Sequence, residues 1–200
     1  MQRDNNYNAG FRIWHWLTVL SVFGALFTVL LRSTFLDKKA VAEILLQKLA
    51  ALGVHLDPEQ AIGVAKAIRA PMWEWHYIFA LGLGAAIVLR LLLMATGRAE
   101  LPLLKVLRAP DAMERFKAAI HLLICLAILV IALTGALYYY HDALGLAKES
   151  VHWAKELHEA LLWPLVLLIA AHIGGVIRHE LTSKECLVSR MIHGDEIRIS

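Results

Sequence analysis

Four long apolar windows constrain this chain more than any other feature of its sequence. They lie near residues 13–31, 75–96, 116–138 and 157–179. A helix needs about 20 apolar residues to cross a bilayer, and an isolated apolar segment in lipid must satisfy its own backbone hydrogen bonds. The sequence therefore predicts an all-α integral membrane protein, a four-helix bundle that forms one domain over residues 1–200.

The basic residues give an orientation to these spans. Eleven Lys and Arg lie in the N-terminus, the second loop and the tail, against eight in the first and third loops. The positive-inside rule then predicts that both termini are cytoplasmic. The first window has neither a strongly basic leader nor a small-residue cleavage site, so we interpret it as a retained helix and not a signal peptide. A net charge of +3 gives no reason to expect a nucleic-acid partner, and membrane lipid is the expected surrounding.

The first loop contains a predicted helical hairpin over residues 38–69. The segment KKAVAEILLQKLAAL places four apolar residues on one helical face, namely Val41, Leu45, Leu49 and Leu52. Gly53 is expected to end the first helix. Asp57, Pro58 and Gln60 have the pattern of a capping box that begins the second. We expect this hairpin to lie on the outer membrane face or to dock a partner, with a solubilising cap as the alternative.

Histidines inside the apolar windows are the candidate functional residues, because an imidazole in hydrocarbon is expensive and marks a site. His158 and His172 are fourteen residues apart in the fourth window, an advance of about 21 Å and nearly four helical turns. They therefore share a face near opposite leaflets. His15 in the first window and His76 in the second lie at matching depths. This arrangement predicts two inter-helical histidine pairs, stacked across the membrane.

Two facing imidazoles fit the axial positions of a heme iron, and a four-helix bundle is a normal place for such a site. The sequence has no C-x-x-C-H motif, so a heme would be b-type, held without covalent attachment. Zinc needs three or four converging ligands, which the paired spacing does not offer. Hydrogen-bonded core histidines or a proton relay remain alternatives, and His121 competes with His15 for the inner site.

Two further span residues fit the same hypothesis. Arg90 follows His76 by fourteen residues and would pair with a heme propionate, with snorkelling to the interface as its alternative. Gly135 follows His121 by fourteen residues and would leave room for a porphyrin face, or for a tight helix contact.

Three segments together resemble the bacterial cytochrome b561 family, which shares a superfamily with hydrogenase-type cytochrome b subunits. They are RIWHWL, WEWHYIFALGLGAAIVLRLL and LHEALLWPLVLLIAAHIGGVIRHELTSKECLVSRMIHG. The resemblance implies that His15 and His172 ligate one heme b, and that His76 and His158 ligate another. It also implies a location in the bacterial inner membrane and electron transfer between membrane quinone and a redox partner outside. The long first loop departs from the family pattern and leaves that partner open.

The functional hypothesis is therefore an electron-transfer cytochrome with two hemes b. One alternative is a superoxide:quinone oxidoreductase that acts at the outer face, and the other alternative is a histidine-relay proton transporter. The quinone site is predicted near His179, which follows His172 by seven residues and lies roughly 10 Å nearer the cytoplasm. Lipid anchoring by Arg178 and His179 is the alternative for this end of the span.

Overall fold

The computed structural model describes residues 8–182 and 187–194, and within these residues it contains helices and no strand. In chain order the helices are α1 Ala9–Ser33, α2 Lys38–Ala50, α3 Pro58–Ile68, α4 Ala70–Ala95, α5 Pro102–Leu107, α6 Ala112–Tyr139, α7 His152–Ala160, α8 Leu162–Thr182 and α9 Leu187–His193. A 3-10 turn, Lys148–Val151, leads into α7. The predicted all-α class is confirmed.

Four segments of the described chain are long and apolar enough to cross a membrane. They are Ala9–Ser33, Pro58–Ala95, Ala112–Tyr139 and Lys148–Thr182, so the four predicted spans are confirmed. Large apolar side chains stay exposed along them, Leu20, Phe27, Leu133 and Leu167 among them. Apolar surface of this kind is what lipid solvates in place of water.

A proline interrupts the regular hydrogen bonding of the fourth span at one residue. Pro164 has no backbone N–H, and its ring clashes with the carbonyl four residues earlier, on Ala160. The structure accordingly ends α7 at Ala160 and begins α8 at Leu162. His158 lies on the first of these helices and His172 on the second. The interruption is the single residue Leu161, and Lys148–Thr182 is still one candidate span, so both histidines lie on the fourth span as predicted.

The predicted hairpin in the first loop is formed by α2 and α3, which pack against each other. Three small residues are buried between them, Ala42, Ala61 and Ala65, and the larger side chains of Val41, Leu45, Leu46, Leu56 and Ile62 surround these. The predicted apolar face is thus correct for Val41 and Leu45. Leu52 lies beyond the end of α2 and is 76% exposed.

Local signals set the ends of the two hairpin helices. The side chain of Asp57 accepts from the Gln60 N–H, and the Gln60 side chain accepts from the Asp57 N–H, so the predicted capping box is confirmed. Gly53 has a φ of 77°, which favours glycine, and it follows α2 as predicted. Asp37 caps α2 by accepting from the Lys39 and Ala40 N–H groups. These two hydrogen bonds lower the pKa of the Asp37 carboxyl below its ordinary value of 3.8.

The chain divides into two compact units, which we describe separately. The first comprises residues 1–14 and 87–200, and the second comprises residues 15–86. In the first unit α6 packs against α5, α7 and α8. In the second, glycines allow close approach between helices, Gly24 against the Phe79 ring and Gly82 against the Ser21 hydroxyl. The single domain expected from the sequence stays a prediction.

Candidate functional site

His76, in the unit of residues 15–86, is held by a hydrogen bond to a buried threonine. Its Nδ1 lies 2.8 Å from Thr28 Oγ1, and Thr28 is 3% exposed. The same hydroxyl lies 2.6 Å from the carbonyl oxygen of Ala25. A carbonyl only accepts, so the single hydroxyl hydrogen of Thr28 is donated to Ala25. Thr28 Oγ1 must then accept from His76 Nδ1–H, which leaves the ring's lone pair on Nε2.

Aromatic rings pack around His76 in the same unit. The Trp73 ring meets the His76 ring edge-on, with centroids 5.8 Å apart, and stacks on Tyr77. The Arg32 guanidinium lies 5.4 Å from the centroid of Trp73. His15, the other candidate ligand of this unit, is half-buried and meets the neighbouring Trp16 ring edge-on at 5.5 Å. His76 therefore has its orientation fixed by both a hydrogen bond and ring packing.

His158, in the other unit, is held against the backbone of α6. Its Nδ1 lies 2.9 Å from the carbonyl oxygen of Ile131. Since that oxygen only accepts, Nδ1 carries the proton and the lone pair lies on Nε2. His158 thus has the same tautomer as His76.

Gly135 makes this approach to α6 possible. A Cβ placed on Gly135 would lie 2.9 Å from His158 Cε1 and 3.0 Å from its Nδ1. No methyl group fits there without displacing the imidazole. In the structure the space beside Gly135 therefore holds the His158 ring. The sequence had suggested a porphyrin face or a tight helix contact for this glycine.

His172 lies beside a second histidine on α6. The rings of His121 and His172 have centroids 4.9 Å apart and planes inclined at 70°, an edge-to-face contact. Within the described part of the chain, the ring nitrogens of His172 make no hydrogen bond. His172 is half-buried, whereas His121 is exposed. His172 is therefore held by ring packing, whereas His158 is held by a hydrogen bond to the backbone.

Arg90 lies over aromatic rings, with part of its guanidinium unsatisfied. Its Cζ is 4.5 Å from the Trp14 centroid and 5.4 Å from the Phe11 centroid, which is cation–π geometry. Nη2 donates to the Glu100 carbonyl at 3.1 Å. Nε and Nη1 are buried and have no hydrogen-bond partner among residues 8–182 and 187–194. A guanidinium in this state has room for an anionic acceptor.

The end of α8 is tied to α9 and to the start of α1. Glu180 Oε1 accepts from the Val188 N–H at 2.8 Å, near the beginning of α9. Arg12 Nη1 donates to the Ile192 carbonyl at 3.0 Å, near its end. His179 is half-buried next to Glu180 in the sequence. Arg12 and Glu180 thus both hold α9 in place.

The site residues predicted from the sequence are spread over both units. His15 and His76 belong to one, and His158, His172, Arg90 and His179 belong to the other. Each predicted ligand pair joins a histidine of one unit to a histidine of the other, and the pairing stays a prediction. The Thr28 hydroxyl and the Ile131 carbonyl are partners of the imidazoles that the sequence did not predict. A threonine within an apolar span was a signal for the first, whereas a carbonyl gives no signal in the sequence.

Comparison with known proteins assigns the chain to a family. The family model for prokaryotic cytochrome b561 matches residues 6–194, which is nearly the whole chain. No curated protein and no solved structure matches it. The matched range includes all four spans and every candidate histidine discussed above. The chain therefore belongs to the prokaryotic cytochrome b561 family, the membrane b-type cytochromes of electron transfer.

Proposed function

We propose that this cytochrome holds two hemes b and transfers electrons across the membrane between quinone and a redox partner. The proposal includes an orientation with both termini in the cytoplasm of a bacterium, supported by the excess of basic residues in the N-terminus, second loop and tail. The observation that carries it is the common tautomer of His76 and His158. Each ring donates from Nδ1 to a fixed oxygen and keeps its lone pair on Nε2.

The residues present fit a heme. Histidines that ligate metals almost always donate their other ring N–H to an oxygen, which fixes the ring and raises its basicity. His76 and His158 have that arrangement, and we assign them to one heme, with His15 and His172 holding the other. The buried Nε and Nη1 of Arg90 are suitable donors to a propionate carboxylate, which would supply the acceptor that they lack.

A bound heme b supplies a one-electron carrier whose potential depends on its axial ligands and their hydrogen bonds. The residues of this chain set those conditions. Thr28 and the Ile131 carbonyl hold two imidazoles in place through hydrogen bonds from Nδ1. Arg90 adds a positive charge that would stabilise a nearby anion.

The quinone site of the proposal is built around His179. A quinone that is reduced or oxidised must exchange protons at its oxygens, and an imidazole can both donate and accept a proton. Arg12 and Glu180 bond to α9, so these contacts support a role for them in shaping this end of the span. Within this proposal His179 exchanges the proton with the quinone.

The hairpin of α2 and α3 is the proposed docking surface for the redox partner. The apolar side chains on its inner face are buried by packing between the two helices. Apolar side chains nevertheless remain on its outside, with Ile44 57%, Val54 48%, Val64 41% and Ile68 48% exposed. These exposed side chains offer apolar surface to a partner, which supports the proposal. Deleting residues 38–69 should leave both hemes bound and slow electron delivery from the physiological donor; an unchanged rate would leave the hairpin a solubilising cap.

Rapid mixing of the purified, heme-loaded protein with quinone tests the electron-transfer route. After chemical reduction, quinone should oxidise the hemes, and His179→Ala should slow this oxidation at least about tenfold while leaving both heme spectra intact. His152→Ala is the matched control, because His152 is exposed and pairs with Glu156. A wild-type rate in His179→Ala would move the quinone site elsewhere. Heme reduction by superoxide in the same apparatus would instead support the superoxide:quinone oxidoreductase.

A further inference from the structure

We propose that His121 is a positioning residue for His172, holding the plane of that imidazole through edge-to-face packing. The inference rests on the proposed function, since it assigns a role toward a heme held by His172. It starts from an asymmetry among the histidines of the spans. His76 and His158 each have an oxygen that accepts from Nδ1. The ring nitrogens of His172 form no hydrogen bond within the described chain, and the His121 ring lies against it.

The distance between the rings separates a supporting role from a ligand role. Two imidazoles on opposite sides of one iron have centroids about 6 Å apart, because each metal–nitrogen bond is about 2 Å and each ring adds about 1 Å. The His121 and His172 centroids are 4.9 Å apart, with planes inclined at 70°. This spacing is too short to hold an iron between the rings. It is within the normal range for one ring packing its edge on another.

The location of His121 also fits a supporting role. It lies on α6, the helix whose Ile131 carbonyl and Gly135 hold His158. Ile131 follows His121 by ten positions, which is about three turns and roughly 15 Å along the helix. One helix thus supports both histidines of the fourth span, His158 through its backbone and His172 through a side chain. A change at His121 should therefore affect one heme and leave the other unchanged.

Substitution of His121 in the full-length, heme-loaded protein tests the inference. His121→Ala should weaken heme binding at the His172 site by about tenfold to a hundredfold, the usual effect of losing an outer-shell partner. The low-temperature EPR signal of that heme should shift, because the signal depends on the planes of the axial imidazoles. His121→Phe should restore binding and the wild-type signal, since it keeps a flat ring at the same place. Leu123→Ala, an exposed residue on the same helix, is the control and should change neither.

Each outcome decides the matter. Wild-type heme affinity and EPR signals in His121→Ala would overturn the inference, as would a His121→Phe protein that behaves like His121→Ala. The second result would mean that a ring nitrogen is required, as it is for a ligand. Repeating the measurement in a His158→Ala background assigns the change to the heme at His172. If the wild-type protein binds no heme at His172, the proposed function fails; if it does and His121→Ala is unchanged, the inference alone fails.

Discussion

His158 and His172 lie on consecutive helices of the fourth span, yet their rings are held in different ways. His158 donates to the Ile131 carbonyl and fits against Gly135, so backbone atoms of α6 determine its position and its tautomer. His172 meets the side chain of His121, and packing is what orients it. A backbone carbonyl in a helix barely moves, whereas a side chain on the helix surface is free to change rotamer. We therefore expect the His158 site to be the more rigid of the two, and the more sensitive to changes in the backbone of α6.

Replacing Gly135 with valine should have the largest effect. Three added carbon atoms would occupy the space of the His158 ring, where a Cβ alone would lie 2.9 Å from Cε1. The ring would leave Ile131, and the heme that we assign to His158 should be lost while the heme that we assign to His172 is retained. Heme content per chain measures this. Gly174→Val is the control, since nothing lies within 4 Å of a Cβ at Gly174 on α8. If Gly135→Val retains both hemes, the contact of His158 with Gly135 and Ile131 is not needed for heme binding.

Replacing Thr28 with valine should have a smaller effect on the same heme, which we assign to His76 and His158. Valine has the shape of threonine but offers no acceptor, so the Nδ1–H of His76 would be left unsatisfied at a cost of about 1–3 kcal/mol. We expect heme affinity at this site to fall about tenfold or more, with a shifted midpoint potential. Thr28→Ser should restore both, because it keeps the hydroxyl. Thr34→Val is the control, since the exposed Thr34 bonds to Leu30 of the preceding helical turn. Equal affinities in Thr28→Val and wild type would show that the bond is not needed.

The sequence could predict features of the fold that depend on a few neighbouring residues. Apolar length was enough to find four spans, and the pattern of Asp57, Pro58 and Gln60 was enough to place the capping box. Both are local signals, because hydropathy and capping act over a few residues. The fourth span was likewise predicted, but the irregular residue Leu161 was not, because a proline within a span can kink a helix without ending it.

The candidate site was predictable in its residue types and less so in its contacts. Histidines in apolar spans are detectable one at a time, and their spacing suggested a shared face. The partners of their rings depend on how helices pack, so neither the Ile131 carbonyl nor the contact of His121 with His172 followed from spacing. Gly135 was expected to leave room for a porphyrin face or for a tight helix contact, whereas in the structure the His158 imidazole lies in that space.

The smallest predicted effect is at the cap of α2, far from the histidines in sequence. Because hydrogen bonds from Ala40 and Lys39 lower the pKa of Asp37, its capping contributes stability at pH values above 3.8 and loses it as the pH falls through the lowered pKa. Asp37→Ala should lower the protection of the Lys39 and Ala40 amides against hydrogen exchange, and this protection should no longer decrease as the pH falls through the range in which Asp37 is protonated. Glu43→Ala, exposed on the same helix, should leave both as in wild type. Neither variant should alter the heme spectra, and a heme change in Asp37→Ala would indicate a coupling that these contacts do not explain.

The most direct test of the account is the number of hemes per chain in the purified protein and in two single variants. The wild type should contain two hemes b by quantitative reduced-minus-oxidised spectroscopy. His158→Ala and His172→Ala should each contain one, with different remaining spectra, because we propose that these two histidines, on α7 and α8, ligate different hemes. A wild-type protein with one heme or none would contradict the account, and so would either variant that keeps two.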